Sequence, residues 1–172
     1  MFIIVRHWTE NDLLKELKEL TIICDTREQQ THCKDYFEKK KVPVIVRKLD
    51  VGDYSAQLGD MTLECDVAIE RKHSIDELAG NLSADRSRFE REFLRAKAKG
   101  TKIFLVVENC SYQDIYLHNY SSQLSPKSLM ASLMSWQVRF NITIIFCEPE
   151  NTPRLIHQIL YYAAREQLLN GR

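Results

Sequence analysis

Glu70, Arg71 and Lys72, with Asp76 four positions further on, are the residues whose types and spacing could do chemistry. They close an apolar run, Val67-Ala68-Ile69, that predicts a strand. Side chains alternate along a strand, so Glu70 and Lys72 project to one face and Arg71 to the other. A carboxylate and an ammonium held side by side can work as a pair on a phosphate. The acid holds a divalent cation, and the lysine sits near the charge that develops on the attacked group. An ordinary strand end entering solvent also reads Glu-Arg-Lys, so the segment needs further acids to carry that meaning. Asp25 and Asp53 supply them, each at the end of a predicted core strand. Hard cations such as Mg2+ or Mn2+ take oxygen ligands and keep several waters. A retained water made acidic by the metal is a nucleophile for phosphodiester hydrolysis, and a lysine can orient it or stabilise the pentacovalent phosphate.

The elements that must position these residues alternate between the two periodicities. Thr9 with Asp12 predicts a capped helix start, followed by Leu13, Leu14, Leu17 and Leu20 at helical spacing. A strand over 21–24 leads into Asp25, and a helix over about 30–40 ends before Pro43. A strand over 44–49 reaches Val51-Gly52-Asp53-Tyr54. Gly59-Asp60 then predicts a hairpin turn ahead of one strand running from 61 to 72. Ser74 with Glu77 opens a short helix ending near Gly80-Asn81, and a longer one covers 84–99 with Gly100 as its stop. A strand over 103–108, a polar and aromatic loop with a helical turn over 109–123, a helix from Pro126 to 140, a strand over 142–147 and a last helix to about 169 complete the chain. The expectation is one α/β domain over 21–172, preceded by an extension over 1–20 made of a strand and a helix.

Bulk properties narrow the classes. The 172 residues are 44% hydrophobic and 28% charged, ordinary for a globular domain. No apolar run approaches the roughly 20 residues needed to cross a bilayer, and the opening Met1 to Val5 is too short for a signal-peptide core. Five cysteines without a Cys-x-x-Cys pair favour free thiols in a reducing cytoplasm over disulfides or zinc. Lys plus Arg equal Asp plus Glu at 24 each, so nucleic-acid binding must come from local clustering of positive charge.

Asp53 followed by Glu70-x-Lys72 resembles the signature of restriction-endonuclease-like nucleases. The fuller set is Asp25-x-Arg27-Glu28, Val51-Gly52-Asp53-Tyr54 and Glu70-Arg71-Lys72-x-x-x-Asp76, with Arg88-Phe89-x-x-Glu92 behind it. In order and spacing it is similar to the nuclease domain of the XPF/Mus-type structure-specific endonucleases, over roughly 21–162. The resemblance implies a restriction-endonuclease-like central mixed sheet flanked by helices, and a divalent-metal-dependent DNA endonuclease. It implies Asp25, Asp53 and Glu70 as metal-side carboxylates and Lys72 as the catalytic lysine, with Arg71, Glu28 and Asp76 as further motif members. It implies no small-molecule cofactor. Asp76 also suits the positive end of the helix that Ser74 opens, and Arg27 either meets a phosphate or pairs locally beside Glu28. Members of this family usually add a helix-hairpin-helix module, so the chain is expected to be a stand-alone bacterial or phage form, with homodimerisation through the apolar side of its last helix.

Arg88, Arg91, Arg95 and Lys99 recur at spacings of three and four on the helix over 84–99. Such a row neutralises DNA phosphates without reading bases, or it is a solvated face diluted by Glu90 and Glu92. Tyr112, Tyr116, His118 and Tyr120 anchor their loop or stack on unpaired bases. The leading expectation is cleavage of branched, flapped or forked DNA. The alternatives are a non-catalytic DNA-binding scaffold, or a nuclease of simple single strands or duplex ends. Intact acids and lysine disfavour the scaffold.

Overall fold

The computed structural model describes residues 8–28 and 31–170. The strand expected in the first residues lies outside them, as does the start of the helix expected from residue 30. Helix α1 (Glu10–Leu17) begins at a full capping box, with Thr9 and Asp12 exchanging side-chain and backbone bonds. β1 (Leu20–Cys24), α2 (Thr31–Lys39), β2 (Val44–Val46), β3 (Tyr54–Leu58), β4 (Met61–Thr62) and β5 (Val67–Lys72) follow. Then come α3 (Ile75–Ala84), α4 (Arg86–Lys99), β6 (Lys102–Glu108), α5 (Tyr112–Leu117), α6 (Pro126–Phe140), β7 (Thr143–Cys147) and α7 (Thr152–Asn170).

The strands form one seven-stranded mixed sheet in the order β2-β1-β3-β5-β6-β7, with β4 paired to β3. β1 runs parallel to β2 and antiparallel to β3, β3 runs antiparallel to β5, and β5, β6 and β7 are mutually parallel. Helices cover both faces. Ala68, Ile103, Leu105 and Val107 pack with α3, α4 and α6, around Trp136 set edge-on to Phe89 and Phe93 at 5.2 Å each. Val67, Ile69, Val106 and the inner residues of β1 and β3 pack with Leu13, Leu17, Phe37, Ile156 and Leu160 of α1, α2 and α7. Helix α1 therefore shares a core with the rest of the domain. Among the described residues no helix is long and apolar enough to cross a membrane, and all five cysteines are free.

Three elements differ from the sequence expectation, each for a local reason. The strand expected over 61–72 is broken, because Leu63 is buried and its carbonyl accepts both the Asp66 and Val67 amides in a turn. Its two pieces, β4 and β5, lie along the same side of β3. The strand expected over 44–49 stops at Val46, since the Leu49 amide turns to the Asp25 carboxylate (2.6 Å) instead of a ladder carbonyl. Helix α3 runs through Gly80-Asn81 to Ala84, held by Leu78, Ala79 and Leu82 in the core. That burial outweighs the helix-breaking tendency of one glycine.

One glycine matters to the site. Gly52 has φ +74°, and a Cβ there would lie 2.8 Å from the Ile69 carbonyl oxygen of β5. The neighbouring Asp53 amide donates to that same carbonyl at 2.7 Å. Only glycine allows this approach and this φ together. Gly52→Ala is expected to destabilise the fold by about 1–3 kcal/mol, read by chemical denaturation; a change below a few tenths would contradict the close packing.

Candidate active site

The sheet brings Asp53, Glu70 and Lys72 together at one end of its interior strands β3 and β5. β5 is buried along its whole length, and its alternation puts Glu70 and Lys72 on the α3/α4 side. There Lys72 Nζ lies 2.6 Å from Glu70 Oε1, 3.5 Å from Glu77 Oε1 and 5.0 Å from the centre of the Phe89 ring. Arg71 points to the opposite side, where Nε and Nη2 meet Glu28 at 3.0 and 3.2 Å and Nη1 meets Glu108 at 2.8 Å. The Arg71 amide donates to Asp53 Oδ2 at 2.8 Å, which ties the loop before β3 to the C-terminal end of β5. The other Asp53 oxygen takes no hydrogen bond from the described residues.

Two adjoining clefts meet at Lys72 and Glu77. One, of about 190 Å³, has Asp53, Arg27 and Glu28 in its wall. The other, of about 220 Å³, has Glu70, Arg88 and Glu92. Larger hollows exist, one of about 510 Å³ between α1 and α7 and a shallow apolar one of about 550 Å³ beside Phe104 and α7. Neither reaches the carboxylates, so the smaller polar clefts are the ones with chemistry in them.

The electrostatics of the cleft are unequal. Burial, and next the charge of Glu70, push the Asp53 carboxyl well above the ordinary aspartate range, against the Arg71 amide and Lys72. Glu70 is also raised: burial leads, and Glu92 and Glu77 add to it despite Lys72. For Lys72 burial works downward, but Glu70, Asp53 and Glu77 outweigh it, and the amine stays protonated. Glu77 moves down although it is half-buried, because Lys72 and the His73 amide and ring favour its charge. Neighbouring carboxylates of this kind are the oxygen ligands that a hard divalent cation takes. Asp53 and Glu70 therefore fit a Mg2+-type ion, which needs only one or two carboxylates beside its waters.

Asp25 does not join them. It is fully buried, and its carboxylate accepts the Arg27 amide (2.8 Å), Arg27 Nε (2.6 Å) and the Leu49 amide (2.6 Å). Burial pushes its pKa up, but these bonds outweigh it and hold the carboxyl below the usual range. Among the described residues no three Asp, Glu, His or Cys side chains are arranged to hold one metal ion. The expectation of Asp25 among three carboxylates around one cation is not met: its oxygens are taken by Arg27 and Leu49, and it brackets β1 to the 47–49 loop. Asp76 is likewise outside both clefts: its Oδ1 receives the Ser121 amide at 2.7 Å and ties α3 to the loop before α6. Arg27 stays beside the cleft but is held by Asp25 and the Leu49 carbonyl. Arg88, Arg91 and Arg95 are exposed and make no ion pair with the described residues, whereas Lys99 is paired with Asp50 at 2.7 Å. Tyr120 and His118 anchor their loop through the Leu124 and Ser122 carbonyls, and Tyr112 and Tyr116 remain exposed.

Glu77, Glu92 and Glu108 were not singled out as site residues from the sequence. Glu92 accepts the Gly52 amide at 3.0 Å, which anchors the glycine turn to α4. Glu108 had a legible signal: two residues after inward-facing Val106, it must share the face of Arg71.

Stability should separate the two aspartates. Asp53 has a folded pKa above its unfolded value of about 3.9, so its contribution is greatest below that pH and is lost as pH rises through the folded pKa. Asp25 is the reverse: its stabilisation is present above about pH 3.9 and is lost as pH falls through the lowered folded pKa. In metal-free buffer at neutral pH, Asp53→Asn is expected to stabilise by about 1 kcal/mol. Asp25→Ala should destabilise by about 1–3 kcal/mol, since it orphans the Leu49 amide. Thermal melts in which both variants move the same way would contradict these assignments.

Comparison with known proteins agrees with this architecture. A sequence profile of the ERCC4 domain matches residues 24–159. XPF from Aeropyrum pernix has a similar fold, at a TM-score of 0.65 and 22% identity, over 86% of this chain and 66% of that one. The same protein in complex with DNA gives a TM-score of 0.64 and 21% identity, over 85% of this chain and 66% of that one. The chain thus spans about two thirds (66%) of the length of the solved structures it matches. No curated protein sequence matches it. With Asp53, Glu70 and Lys72 at one end of β3 and β5 and the profile spanning most of its length, this chain belongs to the ERCC4 domain family.

Proposed function

We propose that the chain hydrolyses phosphodiester bonds in DNA as a divalent-metal-dependent endonuclease, at branched, flapped or forked positions. The observation that carries this reading is the Lys72 ammonium, 2.6 Å from Glu70, beside an Asp53 carboxyl that burial and Glu70 both make unwilling to ionise alone. Asp53 and Glu70 would hold Mg2+ or Mn2+, which when bound supplies Lewis acidity and a more acidic water. Despite burial, Glu70, Asp53 and Glu77 together favour the charged form of the Lys72 amine. Its part is to orient the water and to offset charge on the attacked phosphate. Phe89 and the flanking carboxylates limit its rotation. Arg71 and Glu28 lie behind the strand and hold it.

Exposed Arg88, Arg91 and Arg95 extend from the Glu70 cleft along α4, which suits contact with successive phosphates of a DNA backbone. Lys99, already paired, contributes less. A non-catalytic scaffold is disfavoured because it has no need to keep two mutually repelling carboxylates beside a buried lysine. Five free thiols suit a reducing compartment.

A panel of single-stranded, duplex, flap, fork and four-way DNAs with Mg2+ or Mn2+ tests the reading. Lys72→Ala should lower the cleavage rate by about 10²–10³-fold, Asp53→Asn should bring it to background, and chelation should stop it reversibly. Wild-type cutting by either variant, or in excess chelator, would remove the mechanism.

We also propose homodimerisation through the outer side of α7. Leu160 is buried within the subunit, but Tyr162 is 60% exposed and forms a shallow apolar hollow with Phe104, Ile159 and Ala163. Light scattering should give twice the chain mass at micromolar concentration, and Tyr162→Glu should shift it toward the monomer. A wild-type monomer across that range would rule the interface out.

A further inference from the structure

Two residues that complete the charge cluster around Arg71, Glu108 and His32, have no part in the chemistry described so far. The Arg71 guanidinium has 5% side-chain exposure and is gripped on two edges. Glu28, from the loop after β1, takes the Nε/Nη2 edge. Glu108 takes Nη1 at 2.8 Å, and its second oxygen, Oε1, lies 2.9 Å from His32 Nε2 on α2. Glu108 has 3% side-chain exposure and lines neither cleft. It ends β6, which runs parallel to β5 with Arg71 opposite Val106, so this contact joins the two central strands at their active ends.

We propose that Glu108, steadied by His32, is a positioning residue for the hydrolytic reaction. It locks Arg71 and thereby sets the pose of the β5 backbone that presents the catalytic groups. The coupling is short. The residue whose side chain Glu108 holds also donates its backbone N–H to the Asp53 carboxylate, and its two chain neighbours are Glu70 and Lys72. Glu28 alone leaves the Nη1 edge of a buried cation without an acceptor, and unpaired buried donors drive a side chain to find another pose. A guanidinium held by Glu28 on one edge alone can re-seat its side chain, and the shift is passed to the Arg71 backbone, whose amide holds Asp53. A carboxylate pair and an ammonium that act on one phosphate tolerate little misplacement. The imidazole occupies the second Glu108 oxygen and so restricts the carboxylate to the rotamer that faces Arg71. This inference rests on the nuclease reading above.

The test uses the full chain with Glu108→Gln, Glu108→Ala, His32→Gln and His32→Ala. It measures the single-turnover cleavage rate, affinity for uncleaved DNA, circular dichroism and the Arg71 amide proton shift. Glu108→Gln keeps the shape but loses the charge. It should slow cleavage by about 10–100-fold, leave DNA affinity within about twofold, remain folded and move the Arg71 amide resonance. His32→Gln, which retains a donor for Glu108, should cut near the wild-type rate, whereas His32→Ala should resemble Glu108→Gln. If Glu108→Ala fails to fold, the glutamine variant decides. Wild-type rates in both Glu108→Gln and His32→Ala would overturn the proposal. So would losses that merely follow DNA affinity or the unfolded fraction. If the wild-type chain cuts no DNA, the nuclease reading fails instead. The positional claim is then judged by the Arg71 amide resonance alone: a shift in Glu108→Gln supports it and an unmoved resonance overturns it.

Discussion

The ion pairing around Arg71 sets the geometry from which everything else at the C-terminal end of β5 follows. Strand alternation means that whatever fixes Arg71 on one face of β5 also fixes Glu70 and Lys72 on the other. The guanidinium is buried, forked between Glu28 and Glu108, and kept charged by both despite its burial. Such networks add little net stability compared with an apolar replacement, but removing one partner costs about 3–5 kcal/mol. Their value here is specificity: only one rotation of β5 satisfies all the donors. The Arg71 amide, aimed by the same constraint, then fixes Asp53.

The two sides of β5 obey opposite electrostatic logic. Behind the strand, each buried charge has partners on it. In front, the charge of Glu70 adds to the cost of ionising buried Asp53, Glu92 and Glu77 add to that of Glu70, and one lysine serves both. A fold optimised for stability alone would neutralise one of these acids. Keeping both is what the proposed cation site would require, and it illustrates the general conflict between stability and function. Asp25 belongs to the stabilising side of this division. Its carboxylate substitutes for a strand carbonyl and holds the loop that leads to Gly52.

Much of this could be read from residue order. Alternation along Val67–Lys72 divides Arg71 from Glu70 and Lys72 with no tertiary information, and the Thr9 and Ser74 caps and the Gly100 stop are visible as local chemistry. The glycine before Asp53 announces a backbone position closed to other residues, though not that the Ile69 carbonyl closes it. The break between β4 and β5 was hidden, because Leu63 looks like any other apolar strand residue until its burial bends the chain. Asp25 was misjudged for a related reason: an acid at a strand end can face a cation or a neighbouring amide, and the sequence is silent on which lies opposite.

What the sequence determined by itself was local. It set which residues alternate on β5, where capped helices start, and which acids and lysine are available at strand ends, because these depend on periodicities and capping over a few residues. The tertiary structure decided which of those groups meet. It turned Asp25 toward Leu49 and Asp76 toward Ser121, drew Glu92 across from α4 to Gly52, and brought Glu108 and His32 onto Arg71. Those choices depend on contacts between residues far apart in the chain, where the competition for each hydrogen-bond donor is resolved only once the sheet and its helices have packed.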